Sequence, residues 1–174
     1  MAELDLSRKE KLAYPNVKLV LFDVGGVLLR FQGGLQGLSK MTKLPYADCE
    51  NVWRDLDDQV CMGKVDPQEI WTKIKSRANY RGKDIRFVPY WVNHFQPILQ
   101  THDLVRRLSK NHAVGLFTNI YPGVFDLAKR RNMIPDIPYA TVVQSCETGI
   151  IKPNPLAYEN IEQAAGLKPH EILF

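Results

Sequence analysis

Cysteine is scarce in this sequence, and long hydrophobic runs are missing from it. The three cysteines, Cys49, Cys61 and Cys146, are odd in number and have no CxxC spacing, which argues against a disulfide framework and against a zinc site. No apolar run approaches membrane-spanning length, and the first sixteen residues lack the apolar core of a signal peptide. We therefore expect a soluble, cytoplasmic protein with reduced thiols and no membrane partner.

Charged residues are balanced in number and scattered in position. The 174-residue chain has 23 basic and 19 acidic residues, a formal net charge of +4, and no long run of either sign. That distribution suits small anionic ligands and does not indicate a nucleic-acid partner. With 45% apolar residues, the chain has the composition of a globular protein with one substantial core and room for a small second subdomain.

Four short apolar segments have the length and the branched residues of buried strands. They lie at residues 17–22, 113–117, 141–143 and 171–174. Between the second and third, residues 122–131 suit a helix with proline in its first turn and cations in its last. This alternation predicts a doubly wound, mostly parallel α/β sheet, whose ligand site lies beyond the carboxyl ends of the strands.

A further helix is predicted between the last two strands. Asn154 is a suitable N-cap with Pro155 behind it, and Gly166 is a suitable C-cap. We expect the apolar residues Leu156, Ile161 and Ala165 on the inward face of this helix. The strand and helix alternation therefore continues after the third strand.

Residues 32–97 follow a different pattern, with helical periodicity and no clear strand. Residues 66–69, Asp-Pro-Gln-Glu, have the form of a helix start, with an N-cap, a proline and an acid in the first turn. We expect a helical subdomain inserted after the first strand and a next helix that begins near Thr101. The α/β core would then comprise residues 1–31 and 98–174.

The first candidate for chemistry is Asp23, which follows a hydrophobic strand and precedes the turn-forming pair Gly25 and Gly26. A carboxylate in that position is exposed at the edge where an α/β sheet binds ligands. A plainer alternative is that Asp23 only caps a turn, because Asp and Gly are common in loops.

Polar residues also follow the second and third predicted strands. Thr118 and Asn119 come directly after one, and Lys152 follows the loop after the other. The Thr118 hydroxyl and the backbone N–H groups after it could hold a phosphoryl oxygen, and Lys152 could supply positive charge. Taken singly, Thr118 and Asn119 would also suit a turn, and Lys152 a solvated surface position.

Three segments in this order resemble the motifs of the haloacid dehalogenase superfamily. FDVGGVL is similar to the first motif, GLFTN to the second and GIIKPNP to the third, and the likeness runs from about Val17 to the end. The helical insertion after the first motif resembles the first cap type (C1) of that family, and GKVDPQEIW is similar to the start of a cap helix. The resemblance implies a Rossmann-like core and a hydrolase.

Carried over to this sequence, the resemblance implies a nucleophilic Asp23 that forms an aspartyl-phosphate. Thr118 and Asn119 would orient the transferring group, and Lys152 would hold the charges of the nucleophile and the phosphate together. Mg²⁺ would be bound by Asp23 and by the Gly25 carbonyl. The implied substrate-binding residues are Gly25, Gly26, Thr118, Asn119, Lys152 and Arg54.

Two features depart from the pattern of the family. Gly25 stands where most of its phosphatases have a second Asp that acts as general acid and base, and loss of such a group costs on the order of 10²- to 10⁴-fold in rate. His94, His102, His112 and His170 are substitutes only in principle, and we expect structural or surface roles for them. The sequence also stops at Phe174, before the acidic pair of the fourth motif, so we expect a fragment or a natural product without full activity.

Three functions are compatible with these residues. The first is a phosphatase of a small sugar phosphate, because a good leaving group needs the missing acid least. The second is a 2-haloacid dehalogenase, in which no leaving group is protonated and Arg54 would receive the substrate carboxylate. The third is a binding protein that has kept the fold and lost turnover.

Overall fold

The computed structural model describes residues 16–31 and 33–174. Predictions that fall on residues 1–15 and 32, including the start of the predicted core, lie outside this part of the chain. In chain order the elements are β1 (Leu19–Phe22), β2 (Leu29–Phe31), α1 (Gly34–Thr42), α2 (Tyr46–Cys61), α3 (Gln68–Arg77), α4 (Phe87–Asn93), β3 (Phe95–Pro97), α5 (Leu99–Leu108), β4 (Ala113–Thr118), α6 (Val124–Arg130), β5 (Thr141–Gln144), α7 (Ser145–Thr148), α8 (Pro155–Ala165), a 3₁₀ turn (Pro169–Glu171) and β6 (Ile172–Leu173).

The centre of the fold is a four-stranded parallel sheet in the order β5-β4-β1-β6. Its register places Leu19 of β1 opposite Ala113 of β4 on one side and Ile172 of β6 on the other. The predicted α/β class with a parallel sheet is confirmed. The last strand is shorter than predicted, because the 3₁₀ turn delays its start to Ile172.

Helices cover both faces of this sheet. On one face Leu21, Phe117 and Val143 pack against Ala157 and Ile161 of α8. That helix has the predicted caps, since the Asn154 side chain accepts a hydrogen bond from the Leu156 N–H and Gly166 ends the helix in a left-handed conformation. The prediction of which residues form its inward face was partly wrong.

The error concerns Leu156, whose side chain is 50% exposed, whereas its neighbour Ala157 is buried. Ala157 and Ile161 are four residues apart and therefore lie on the same side of the helix. Ala165, one further step of four, packs against the same cluster. The inward stripe thus begins one residue later than the apolar pattern indicated.

The region between β1 and α5 is mostly helical, but the prediction that it has no strand was wrong. β2 and β3 form an antiparallel ribbon in which Leu29 lies opposite Pro97 and Phe31 opposite Phe95. Each strand has three residues, too few to show a period of two in the sequence. The ribbon brings the chain segments before α1 and after α4 side by side, and α5 begins at Leu99, earlier than expected.

The four helices between the ribbon strands pack on a shared apolar centre. Ile70, Trp71 and Ile74 of α3 are fully or almost fully buried and belong to one continuous cluster with Val114 and Leu116 of the sheet. The helices α1 to α4 therefore share one apolar core with the sheet, and they reach it through α4 packed on α6 and α2 packed on α7. Among the described residues, no helix is long and apolar enough to cross a membrane.

Candidate active site

The loop after β1 presents Asp23 at the carboxyl edge of the sheet. One carboxylate oxygen, Oδ1, accepts a hydrogen bond from the Val24 N–H at 2.7 Å. The Val24 carbonyl in turn accepts from the N–H groups of Leu28 and Leu29, which folds the chain back into a tight turn. Gly26, with a φ of 75°, takes a left-handed conformation that favours glycine.

Lys152 lies directly against this carboxylate. Its Nζ donates to Asp23 Oδ2 at 2.8 Å and to the Phe117 carbonyl at 2.8 Å. The side chains are 11% exposed for Lys152 and 30% exposed for Asp23, so solvent screens this ion pair less than a surface pair. Sequence positions 129 residues apart thus meet where β1, β4 and the loop after β5 converge.

Asn119 holds the backbone of Lys152 in place. The Asn119 side-chain amide donates to the Lys152 carbonyl at 3.0 Å, and its carbonyl oxygen accepts from the Lys152 N–H at 2.9 Å. The structure therefore shows Asn119 in contact with Lys152, where the sequence predicted a contact with the substrate. An amide side chain suits this position because it carries one donor and one acceptor side by side.

Thr118 is at the end of β4 and is 1% exposed. Its hydroxyl donates to the Asn119 carbonyl at 3.4 Å, which is longer than an ordinary O–H···O hydrogen bond. The hydroxyl is thus weakly bound within the described residues, and it remains a candidate for the predicted contact with a phosphoryl oxygen.

Sequence reasoning missed Ser145, which follows β5. Its hydroxyl donates to the Cys61 carbonyl at 2.6 Å and accepts from the Ile120 N–H at 3.0 Å. Ser145 is 3% exposed, and it links the end of α2 to the loop that carries Asn119. The available signal was its place at the carboxyl end of a predicted parallel strand, the same signal that identified Thr118.

A second buried connection joins α2 to that loop. The indole N–H of Trp53 donates to the Tyr121 hydroxyl at 2.7 Å, and the Tyr121 hydroxyl donates to the Asp57 carboxylate. Burial raises the pKa of Tyr121 and the pKa of Asp57, although the hydrogen bond from Tyr121 opposes the shift at Asp57. These contacts fasten the helical region to the segment that follows Thr118.

Gly25 lies beneath an aromatic ring. A Cβ atom on Gly25 would come within 2.5 Å of Phe31 Cε2 and within 2.9 Å of Phe31 Cζ. The Gly25 carbonyl accepts no hydrogen bond from any residue that the structure describes, so its oxygen is available to a ligand. The resemblance to the family had already implied a role for this carbonyl, whereas the Phe31 ring over Gly25 was not predicted.

The predicted magnesium ligands fit a hard cation, although they are few. Asp23 offers a partly exposed carboxylate and Gly25 an unengaged carbonyl oxygen, and oxygen is the ligand atom that Mg²⁺ prefers. Within the described ranges, no cluster of three His, Cys, Asp or Glu side chains could hold a metal. Mg²⁺ commonly completes such a site with substrate phosphate and water.

Arg54 is not brought to the site by a contact in the structure. Its guanidinium pairs with Glu50 one turn earlier in α2 at 3.0 Å, and the side chain is 67% exposed. Of the four histidines, His102 is the buried one, and its Nε2 lies 3.0 Å from the Leu28 carbonyl. His102 thus supports the loop after Asp23, which agrees with the structural role expected for it.

The ion pair at the end of a parallel sheet is accompanied by a sequence match along most of the chain. A family model described as haloacid dehalogenase-like hydrolase matches residues 17–174. The chain belongs to the haloacid dehalogenase-like hydrolases. The resemblance inferred from the three motifs is therefore confirmed, and so is the prediction of a hydrolase. No curated protein matches this hydrolase in sequence.

Solved structures share the fold of this haloacid dehalogenase-like hydrolase at low sequence identity. A HAD family enzyme from Bacteroides thetaiotaomicron is 20% identical with a TM-score of 0.73, covering 90% of this chain and 82% of the other. Its complex with magnesium and inorganic phosphate matches with a TM-score of 0.71 at 21% identity, with the same coverage of 90% and 82%. An L-2-haloacid dehalogenase from Xanthobacter autotrophicus with chloropropionic acid covalently bound is 18% identical with a TM-score of 0.63, covering 91% and 69%.

Proposed function

We propose that this hydrolase is a magnesium-dependent phosphatase of a small sugar phosphate in the cytoplasm. The observation that carries the proposal is the ion pair between Asp23 and Lys152 at the carboxyl edge of the sheet. A carboxylate that is partly exposed can attack an incoming ligand, and the adjacent ammonium group attracts an anionic one. A crystallised relative with the same fold contains magnesium and inorganic phosphate, which supports this substrate class.

The reaction would proceed in two displacements at phosphorus. An oxygen of Asp23 attacks the phosphorus, the bond from phosphorus to the leaving oxygen breaks, and the departing alkoxide takes a proton from water. A second water then attacks the phosphorus of the aspartyl-phosphate, which releases inorganic phosphate, returns the carboxylate and leaves one proton to solvent. Lys152 remains in contact with the carboxylate and offsets the negative charge that gathers around it.

Magnesium would be held by the Asp23 carboxylate and the Gly25 carbonyl. When bound there, it would offset phosphate charge as a Lewis acid. The residues of the chain itself supply the nucleophile and its positioning, through Lys152 and Asn119. We also propose that residues 32–97 form a cap of the C1 type, because α4 packs on α6 and α2 is hydrogen-bonded to the loop after β4 through Ser145 and Tyr121.

A sugar phosphate with a good leaving group fits the absence of an acid at position 25. Without a carboxyl group there, the leaving oxygen departs as an anion or is protonated by water. An anomeric oxygen tolerates this better than a simple alkoxide, because its conjugate alcohol is more acidic. The preference therefore follows from Gly25 and not from any measured contact with a sugar.

A 2-haloacid dehalogenase is the second candidate, and one observation favours it. Halide leaves without a proton, so the absence of an acid at position 25 does not slow that reaction. The Phe31 ring over Gly25 would also suit an apolar group on the carbon that is attacked. The arginine predicted to receive the carboxylate, Arg54, is paired with Glu50 and mostly exposed. Because Arg54 contacts none of the described site residues, we rank the phosphatase first.

The deciding experiment measures magnesium-dependent phosphate release from a panel of sugar and nucleotide phosphates. The variants are Asp23→Asn and, as a matched control, Asp103→Asn, whose carboxylate is exposed on α5 and pairs with Arg106. We expect release by the wild type and by Asp103→Asn, loss in Asp23→Asn, and loss on chelation of the metal. Halide release from 2-haloacids without phosphate release would establish the dehalogenase, and neither product would indicate a binding protein.

A further inference from the structure

Gly25 and Gly26 are adjacent, but they are glycines for different physical reasons. Gly26 has a φ of 75°, and no atom lies within 4 Å of the place where its Cβ would be. Gly25 is not among the glycines with positive φ, so its backbone would accept a side chain. The space that a side chain at position 25 would fill is occupied by the ring of Phe31, whose Cε2 would lie 2.5 Å from the added carbon.

The Phe31 ring packs against Phe95 and is also partly exposed to solvent. It belongs to β2, which pairs with β3 so that Phe31 lies opposite Phe95. The two rings meet edge to face with centroids 4.7 Å apart, and Phe95 is 5% exposed. Phe31 is nevertheless 46% exposed, so an aromatic surface faces solvent above Gly25, which is two residues after the nucleophile.

We propose that Phe31 determines specificity by occupying the side-chain space of residue 25 and presenting its ring to the leaving group. The ligand class is a phosphate ester whose leaving group carries a ring with an apolar face, such as a sugar or an aryl group. Aromatic rings bind such faces through apolar contact and favour edge or offset packing. This inference rests on the proposed phosphatase function for its substrate, but not for the packing of Phe31 on Gly25.

Two consequences of this arrangement act together. Residue 25 is a glycine and the Phe31 ring fills its side-chain space, so no acid protonates the leaving group from there, which favours leaving groups that depart without protonation. The same ring offers binding energy to leaving groups that contain a ring. A small phosphate compound without a ring would use Asp23 and Lys152 and gain nothing from Phe31.

The test compares two non-hydrolysable probes, phenylphosphonate and methylphosphonate, by calorimetric binding in the presence of magnesium. We expect Phe31→Ala to weaken phenylphosphonate binding by roughly 3- to 10-fold, the range that an aromatic contact supplies, and to leave methylphosphonate binding within about twofold. Tyr46→Ala is the matched control, because Tyr46 is 40% exposed at the start of α2. It should alter neither affinity.

Gly25→Ala is the second variant, because the added carbon must displace the Phe31 ring. It should lower phenylphosphonate affinity as well, and the double variant should lose no more phenylphosphonate affinity than Gly25→Ala alone. Equal losses for both probes, or none in Phe31→Ala, would overturn the proposal. The binding result is independent of turnover, so preserved probe selectivity without any phosphate release would sink the phosphatase function and leave the role of Phe31 standing.

Discussion

The Asn119 side chain forms two hydrogen bonds with the backbone of Lys152. Its amide group donates to the Lys152 carbonyl, and its carbonyl oxygen accepts from the Lys152 N–H. The Lys152 ammonium group then reaches Asp23 at 2.8 Å. Because the lysine side chain has four rotatable bonds, its position depends on the point from which it starts. The three residues form a sequence of contacts in which Asn119 acts on the nucleophile through Lys152.

We expect Asn119→Ala to lower kcat by roughly 10- to 100-fold, the cost of a misplaced catalytic group. In a Lys152→Ala background the same change should add little, since Asn119 acts through Lys152. Steady-state kinetics of the four proteins measure this coupling, with Asn111→Ala, an exposed position, as control. Losses that simply add would show that Asn119 does not act through Lys152.

Ser145→Ala should destabilise the fold by about 2 to 3 kcal/mol, because it leaves the buried Ile120 N–H and the Cys61 carbonyl without a partner. Urea denaturation measures the free energy of unfolding directly. Ser76→Ala, at an exposed position on α3, should change it by less than about 0.5 kcal/mol. Equal stabilities for the two variants would contradict a bridging role for Ser145.

The stability of the protein should fall in mild acid because of His102. Burial lowers the pKa of His102, so the unfolded chain takes up a proton at a pH where the folded chain does not. The contribution of His102 to the stability of the fold is therefore complete above the ordinary histidine pKa of about 6.5. It is lost as the pH falls from there through the lowered pKa of the folded protein. Denaturation of wild type at pH 8 and at pH 5 should show the difference.

His102→Gln should reduce that pH dependence, because glutamine can still donate to the Leu28 carbonyl and does not titrate. His170→Gln is the control, since His170 is exposed. A pH dependence that persists unchanged in His102→Gln would assign the effect to other groups.

Asp57 should make stability depend on pH in the opposite direction to His102. Its pKa is raised by burial, so the folded chain holds a proton more tightly than the unfolded chain. Between the ordinary value of about 3.9 and the raised pKa, stability therefore declines as pH rises. The neighbouring Asp58 contributes to the rise, and the hydrogen bond from Tyr121 opposes it.

Asp57→Asn keeps an oxygen for the Tyr121 hydroxyl and removes the charge. We expect this variant to be more stable than wild type at pH 7 and to show less decline between pH 4 and pH 7, measured by urea denaturation. Asp55→Asn, at an exposed position on the same helix, is the comparison. A lower stability of Asp57→Asn at pH 7 would mean that the carboxylate charge stabilises the network.

Local patterns in the sequence were sufficient for the parallel sheet and for the ends of α8. Apolar runs bounded by glycine and polar residues identify buried strands, and Asn154 and Gly166 act on the backbone within a few residues of themselves. The same local signals placed Asp23, Thr118 and Lys152 at or beyond strand ends. Periodicity did not identify β2 and β3, because three-residue strands are too short to display it.

The sequence by itself determined the family, the α/β class and the place of Asp23, Thr118 and Lys152 at the carboxyl edge of the sheet. The resemblance also implied that Lys152 lies beside Asp23, and the structure shows the two in contact. Only the tertiary structure decided that Asn119 holds the Lys152 backbone and that Phe31 covers Gly25. The difference has a physical cause. Strand and cap signals arise from neighbours along the chain, whereas these contacts depend on how separate elements approach in space, which no local pattern records.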